Sequence, residues 1–194
     1  MSEIDPTPAS HDPRHGPGAR VLIVFGVALA AGLAAWLLTS SSRDDGNAAS
    51  AGAAHGESRI VTEDEVDALP GEAGHELFWA GEHQGTELEY NDTGGNVHLR
   101  YLPDGTPAGA PAQTFLDIGT YPFKGAYRAT RALAGQKGMI QVDHRDGVGF
   151  YDRTRPYSVT MAFHDQPNLQ VEVYLPEKNE ALKIVRSGDI VPLP

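Results

Sequence analysis

Asn168–Leu175, with the sequence NLQVEVYL, is the clearest strand pattern in the chain and decides its fold class. Apolar and polar residues alternate along it, so its apolar side chains lie on one face of an extended strand and its polar side chains on the other. The apolar set is Leu169, Val171, Val173 and Leu175. Shorter strand signals occur earlier, grouped before and after a helical segment, which predicts an α+β domain built on a mostly antiparallel sheet. They cover residues 78–79, 87–90, 97–101, 113–118, 139–142, 148–151 and 157–163.

Two to three helices are predicted beside this sheet, on one of its faces. Thr62 and Glu65 form a capping-box pattern that opens a short helix, and Pro70-Gly71 ends it. Helical spacing of apolar residues predicts two longer helices, over 123–136 and 177–187. The predicted turns and loops are 91–96, 103–111 and a strand-exit turn at Thr120.

The composition of the 194 residues excludes several function classes. There is no cysteine, which rules out a disulfide scaffold, a thiolate zinc site, an iron–sulfur centre, a cysteine nucleophile and a cysteine-linked lipid anchor. The chain has 15 Lys and Arg against 26 Asp and Glu, a formal charge of −11. Because nucleic-acid binding depends on basic residues that neutralise phosphates, we expect no nucleic-acid partner.

Val21–Leu38 is a continuous apolar run without a charge or an amide side chain. As a helix rising about 1.5 Å per residue it would cover roughly 27 Å, close to the ~30 Å hydrocarbon core of a bilayer. The sequence therefore predicts one transmembrane helix, with the lipid bilayer as its partner. A cleaved signal peptide is the alternative, but the small-residue candidates for its cleavage site, from Ala49 onward, lie far beyond Leu38, which favours an uncleaved anchor.

Basic residues on either side of this helix set its predicted orientation. Arg14 and Arg20 precede it and only Arg43 follows closely, which favours a cytoplasmic amino terminus and an extracytoplasmic carboxy-terminal domain; a cytoplasm-facing domain is the alternative.

Small residues recur along the helix at a four-residue spacing, a pattern that also fits a homodimer through the transmembrane helix. The predicted organisation is a disordered cytoplasmic tail over 1–20, the transmembrane helix over 21–38, a flexible Ser/Ala/Gly linker over 39–59 and the exported α+β domain over 60–194.

Four short motifs in the domain resemble a family of single-pass membrane proteins from actinobacteria. The resemblance covers roughly residues 78–190, and it implies a cell-membrane anchor with an exported α+β domain. It carries no catalytic residue over to this chain. The motifs are Trp79-Ala80-Gly81, Arg100-Tyr101-Leu102-Pro103, Gly119-Thr120-Tyr121-Pro122 and Val171-Glu172-Val173-Tyr174.

The domain has no local catalytic or metal-binding motif. Its histidines lack HxH and HExxH spacing, so we expect them on exposed loops and strand faces. Its serines lie in neither G-x-S-x-G nor S-x-x-K, and the acidic residues of 60–96, a stretch without Lys or Arg, are expected to form a solvated face. We therefore assign no catalytic residue, no metal ligand and no cofactor. The residues considered are His75, His83, His98, His144 and His164, with Ser58, Ser158 and Ser187.

Basic and aromatic residues of the predicted central helix are the candidate binding residues. Arg128 and Arg131 are three apart and so share one helix face. Tyr121 and Tyr127 lie near them in sequence, and mixtures of aromatic and basic residues are frequent at binding surfaces. The alternative is that the arginines pair with the acidic first third of the same domain and that the tyrosines belong to the core. The predicted function is a membrane-anchored extracytoplasmic binding or sensing module that engages an envelope polymer or a membrane protein partner. The alternative is an envelope hydrolase whose site is assembled only in three dimensions.

Overall fold

The structure, a computed structural model, describes residues 58–111 and 114–194 and shows ten strands there. They are β1 Ser58–Val61, β2 Phe78–Trp79, β3 Thr86–Thr93, β4 Asn96–Pro103, β5 Leu116–Pro122, β6 Met139–His144, β7 Gly147–Asp152, β8 Ser158–Phe163, β9 Leu169–Tyr174 and β10 Val191–Pro192. Eight form one sheet in the order β1-β3-β4-β5-β9-β8-β7-β6, and β2 pairs with β10 in a separate ribbon. Every neighbouring pair is antiparallel, which confirms the predicted α+β class.

Four helical segments accompany the strands, two of them only about one turn long. They are α1 Glu63–Val66, α2 Leu69–Ala73, α3 Ala126–Ala134 and α4 Glu180–Ser187. The capping box of α1 is formed as predicted, with the Glu65 carboxylate accepting a hydrogen bond from the Thr62 backbone N at 2.8 Å. The prediction that Pro70 ends this helix was wrong, because Pro70 lies in the first turn of α2, where a backbone N–H has no helical partner.

None of these four helices is long and apolar enough to cross a membrane. The predicted transmembrane helix over 21–38 lies outside the described residues, as do the predicted tail over 1–20 and most of the predicted linker over 39–59. The last two residues of that linker, Ser58 and Arg59, belong to β1 and pair with β3. The sheet therefore starts two residues before the predicted domain boundary.

The sheet consists of two four-stranded halves that meet along one seam. The first half contains β1, β3, β4 and β5, the second contains β6 to β9, and α3 connects the two. The seam is the pairing of β5 with β9, from Asp117 opposite Tyr174 to Pro122 opposite Leu169. Residues on either side of the seam are therefore distant in sequence and adjacent in space.

Helices cover both faces of the sheet, so the prediction that they share one face was wrong. On one face, Val171 and Val173 of β9 pack in an apolar core that includes Ala181 and Val185 of α4. On the opposite face, Gln170 of β9 donates a hydrogen bond to Thr130 of α3 at 3.2 Å. The alternation in β9 is confirmed, but its polar side is buried as well, and this second burial has no signature in the sequence pattern.

The turn between β3 and β4 is shorter than predicted. It contains only Gly94 and Gly95, whose φ angles of 64° and 84° are those of the two-residue turns that match the twist of a hairpin. The turn lies inside the predicted range of 91–96, but that range was too long, because Asn91, Asp92 and Thr93 continue β3 and pair with β4. The hairpin is consequently eight residues long on each side.

β5 is displaced from its predicted position. It covers Leu116–Pro122 instead of 113–118, and so includes the residues predicted as an exit turn. Thr120 is buried, and its hydroxyl accepts a hydrogen bond from the backbone N of Phe78 at 3.3 Å. Phe78 also stacks on Phe163 of β8, with ring centroids 4.5 Å apart, so the β2–β10 ribbon contacts both halves of the sheet.

Candidate functional site

Five polar side chains meet at the seam, on the sheet face that also carries α3, and we call them the seam cluster. His98 comes from β4, Asp117 and Tyr121 from β5, Ser158 from β8 and Glu172 from β9. Asp117, Tyr121 and Glu172 are buried, and His98 and Ser158 are half-buried. The two halves of the sheet thus each contribute ionisable groups to one cluster.

Hydrogen bonds link the members of the seam cluster into a chain. His98 Nδ1 lies 3.0 Å from Asp117 Oδ1, and its Nε2 lies 3.5 Å from the Tyr121 hydroxyl. The Tyr121 hydroxyl donates to Glu172 at 3.4 Å, and the Ser158 hydroxyl donates to the other Glu172 oxygen. No buried side-chain nitrogen or oxygen of the described residues lacks a partner, so the cluster is satisfied internally.

Gly119 makes room for this arrangement. It pairs with His98 of β4 on one side and with Glu172 of β9 on the other. A Cβ atom at Gly119 would lie 2.3 Å from the Tyr121 hydroxyl oxygen. The ring of Tyr121 therefore occupies the space that a side chain at 119 would need, and its hydroxyl reaches both His98 and Glu172.

Burial and proximity shift the protonation of the cluster. Burial raises the pKa of Glu172, and the charge of Asp117 raises it further, against the hydrogen bond from Ser158. Burial by itself lowers the pKa of His98, but the hydrogen bond and charge of Asp117, with the charge of Glu172, outweigh it and leave that pKa raised. Burial also raises the pKa of Tyr121 far above its ordinary range. Protonated forms are thus favoured at all three groups.

The seam cluster contains the residue types of a hydrolytic site, but its serine and its histidine are not paired with each other. A serine nucleophile is activated by a base within hydrogen-bond reach; Ser158 donates to the Glu172 carboxylate, whereas His98 faces Asp117 and Tyr121. Within residues 58–111 and 114–194, no group of three or more His, Asp or Glu side chains is placed to hold a metal ion. The expectation that His98 is exposed was wrong, because its partner Asp117 lies on the neighbouring strand.

The predicted binding residues do not form a single surface. Arg128 and Arg131 are exposed on α3 and make no ion pair with a described residue. Tyr127 is half-buried on the same helix, and its hydroxyl lies 2.6 Å from His164 Nε2. Tyr121 is buried in the seam cluster, so it is not part of an exposed surface with the two arginines.

The acidic residues of the first third are not all solvated, contrary to the sequence expectation. Glu89 on β3 is completely buried and forms an ion pair with Arg100 of β4 at 2.9 Å. Its other oxygen accepts a hydrogen bond from the backbone N of Gly109 at 2.7 Å, and Arg100 donates to the carbonyl of Ala110. Glu89 and Arg100 therefore hold the loop after β4 against the sheet.

An open groove of about 750 Å³ lies where α1, β2 and the segment 81–88 meet, and we call it the Trp79 groove. Val66, Trp79, Leu88 and Tyr101 form its apolar and aromatic part. The Tyr101 hydroxyl accepts a hydrogen bond from the backbone N of Ala80 at 2.8 Å, which fixes its ring at the wall. This volume is within the range of about 300–1,000 Å³ that is usual for ligand sites. A second cavity, of about 520 Å³ beside α4, has both acids and arginines in its lining.

Sequence reasoning missed both the seam cluster and the Trp79 groove. Two-residue spacing does place Asp117, Gly119 and Tyr121 on one strand face, and likewise Gln170 and Glu172. The missing information is that β5 pairs with β9 across about fifty residues of chain. For the groove, Trp79 and Tyr101 lie in two of the quoted motifs, but their proximity depends on tertiary packing.

Comparisons of the chain with protein-family models, with curated proteins and with solved structures found no match.

Proposed function

We propose that this chain is a membrane-anchored binding or sensing module whose carboxy-terminal domain lies outside the cytoplasmic membrane. The apolar run Val21–Leu38 supports the anchor, because its length as a helix suits a bilayer. Arg14 and Arg20 before it and Arg43 after it support the orientation. The small residues along the same run support a homodimer formed through that helix.

The Trp79 groove is the observation that carries a binding role. It is open, has the volume of a ligand site and combines an apolar wall with exposed polar side chains at its rim. The exposed arginines of α3, Arg128 and Arg131, add a second surface suited to an anionic envelope polymer or a membrane protein partner. The overall negative charge of −11 disfavours nucleic acid as a partner.

The second candidate function is an envelope hydrolase, favoured by the contact between His98 and Asp117. Isolated envelope incubated with the purified full-length protein distinguishes it from the binding module. A hydrolase would release soluble fragments, and His98→Gln would abolish that release. The binding module releases none, and His98→Gln leaves its binding unchanged.

Membrane extraction and protease accessibility test the anchor and its orientation. We expect the full-length protein to stay with membranes washed at alkaline pH, because a transmembrane helix is not removed by breaking ionic contacts. We expect protease added to spheroplasts to cleave the carboxy-terminal domain, and a reporter that is active only outside the membrane to be active when fused after Pro194. Release by the wash, or a reporter that is active only in the cytoplasm, would contradict the proposal.

A further inference from the structure

The charges around the Trp79 groove are all of one sign. Four carboxylates line it, from Glu63, Asp67, Glu82 and Glu87, and no Lys or Arg does. All four residues are exposed, and none forms an ion pair with a described residue. An incoming ligand therefore meets uncompensated negative charge at the rim.

Arg59, the residue before the lining residue Ile60, contacts residues outside the groove lining. Its guanidinium contacts Glu72 at 2.6 Å and lies over the ring of Tyr90, 5.1 Å from the centroid. A weaker contact at 4.0 Å joins it to Glu65. Its guanidinium is thus paired with Glu72, and it is not among the residues that line the groove.

Aromatic rings add a second reason for cation selectivity. Trp79 is half-buried in the groove, and the ring of His83 packs edge-on against Tyr101 with centroids 4.8 Å apart. The face of an indole or phenol ring attracts a positive charge, and an ammonium group on an apolar body gains from ring and carboxylate together. An anionic ligand would be repelled by the rim, whereas an uncharged one would gain only the apolar contact.

We infer that the Trp79 groove binds an organic cation, an ammonium group carried on an apolar or aromatic body. This inference rests on the proposed binding function and specifies its ligand class. The apolar body contacts Val66, Leu88 and the rings, and the positive group faces the carboxylates of the rim. Binding of a ligand in the groove and preference for a positive charge are separate claims, and each is tested by a separate measurement.

Fluorescence of Trp79 tests the inference in the full-length protein. The chain has two tryptophans, Trp36 and Trp79, so Trp36→Phe leaves one reporter, at the groove. The protein, in a neutral detergent, is titrated with benzyltrimethylammonium, benzyl alcohol and benzoate, which share a ring and differ in charge. We expect a saturable change with the cation, a weaker one with the alcohol and none with benzoate.

Two carboxylate variants assign the charge preference to the rim. Asp67→Asn with Glu87→Gln should weaken cation binding about two- to thirty-fold, the range for losing two exposed charge contacts. The control, Glu177→Gln with Asp189→Asn, removes the same charge away from the groove and should leave affinity unchanged. Both variants should keep the parent's thermal unfolding, since all four carboxylates are exposed.

The possible failures are distinguishable. Equal saturation by the three probes would overturn the cation preference while leaving the groove as the binding site. A cation response that both variants weaken equally would also overturn it, because it would reflect net charge alone. No saturable change with any probe would overturn the groove as the site on which the binding function was proposed.

Discussion

At the scale of single residues, Gly119 is the position where the seam cluster has least room. A methyl group there would meet the ring of Tyr121, with the hydroxyl oxygen at 2.3 Å and ring carbons at 2.6 and 2.8 Å. We expect Gly119→Ala to displace that ring, break its contacts with His98 and Glu172, and lower the free energy of unfolding by about 1–3 kcal/mol. Chemical denaturation of the full-length protein measures the change.

Gly71→Ala is the matched control. Gly71 is exposed in α2, has no heavy atom within 4 Å of a Cβ built on it, and does not have a left-handed φ. Alanine there should be neutral or stabilising by up to about 1 kcal/mol. Combining Gly119→Ala with Tyr121→Ala should cost less than the sum of the single changes, because the clash is then absent. Strict additivity would contradict the packing described for Tyr121.

Glu172 gives the seam cluster a pH dependence with a definite sign. A raised pKa means that the folded state holds the proton more tightly, so this contribution to stability is present below the ordinary value of 4.5 and is lost as pH rises. His98 acts in the same direction above its ordinary value of 6.5. We therefore expect the free energy of unfolding to fall from about pH 5 to pH 8, and Glu172→Gln to flatten the lower part of that fall.

Equilibrium unfolding at several pH values measures this slope. Glu177→Gln serves as the control, because Glu177 is exposed, and it should leave the slope unchanged. His98→Gln should flatten the part of the curve above pH 6.5 and leave the part below it. A free energy of unfolding that rises with pH in the parent protein would contradict the link between these pKa values and stability. A pH dependence that neither variant alters would also contradict it.

At the scale of elements, the hairpin of β3 and β4 depends on its two-residue turn. Gly94 has φ of 64°, and a Cβ built there meets no heavy atom within 4 Å, so backbone strain alone decides the effect of a substitution. Gly94→Ala should lower the free energy of unfolding by about 1–2 kcal/mol, and Gly94→Asn by much less, because asparagine tolerates the left-handed region. Chemical denaturation ranks the variants, and equal losses would contradict the turn geometry.

The helix α3 has a buried side and an exposed basic side, so substitutions on the exposed side can test binding with little effect on stability. Ala126, Thr130 and Ala134 are buried, whereas Arg128 and Arg131 are exposed. Changing both arginines to alanine should leave the free energy of unfolding within about 0.5 kcal/mol of the parent. It should reduce capture by an envelope fraction, with Arg153→Ala plus Lys178→Ala as the charge-matched control. Unaltered capture would remove α3 from the binding surface.

The sequence pattern along single strands predicted most of the secondary-structure elements. It did not predict which elements contact each other. Leu169, Val171 and Val173 face the core as their alternation predicts, because alternation depends only on backbone geometry. Glu172 illustrates the limit, since its burial follows from the pairing of β9 with β5 and β8. Glu89 is similar, because its partners Arg100 and Gly109 are brought to it by a hairpin and a loop. Such partners are specified by tertiary packing and have no local signature.

At the scale of the whole molecule, the two surfaces proposed for binding lie on opposite sides of the sheet. The helix α3 packs on the face that carries Gln170, whereas Val66 of α1, at the groove, packs in the core on the other face, with Leu99. One surface is basic and the other acidic, so they suit ligands of opposite charge. If both proposed surfaces bind, the domain has room for two different partners at once.

Because the sheet divides at one seam, the domain can be cut into two fragments that each contain one half of the sheet. A polypeptide interrupted between Phe123 and Lys124 yields one fragment with β1 to β5 and another with α3 and β6 to β10. The helix stays with the strands it covers, and the fragments reunite by pairing β5 with β9, in the register that brings Asp117 opposite Tyr174, and β2 with β10. A slip of one residue would pair Glu172 with a residue whose side chain belongs to the other face of the sheet, so β5 or β9 would have to turn its polar side toward the apolar core. Fragment complementation would thus measure whether the charged residues Asp117 and Glu172 select the native register of β5 and β9.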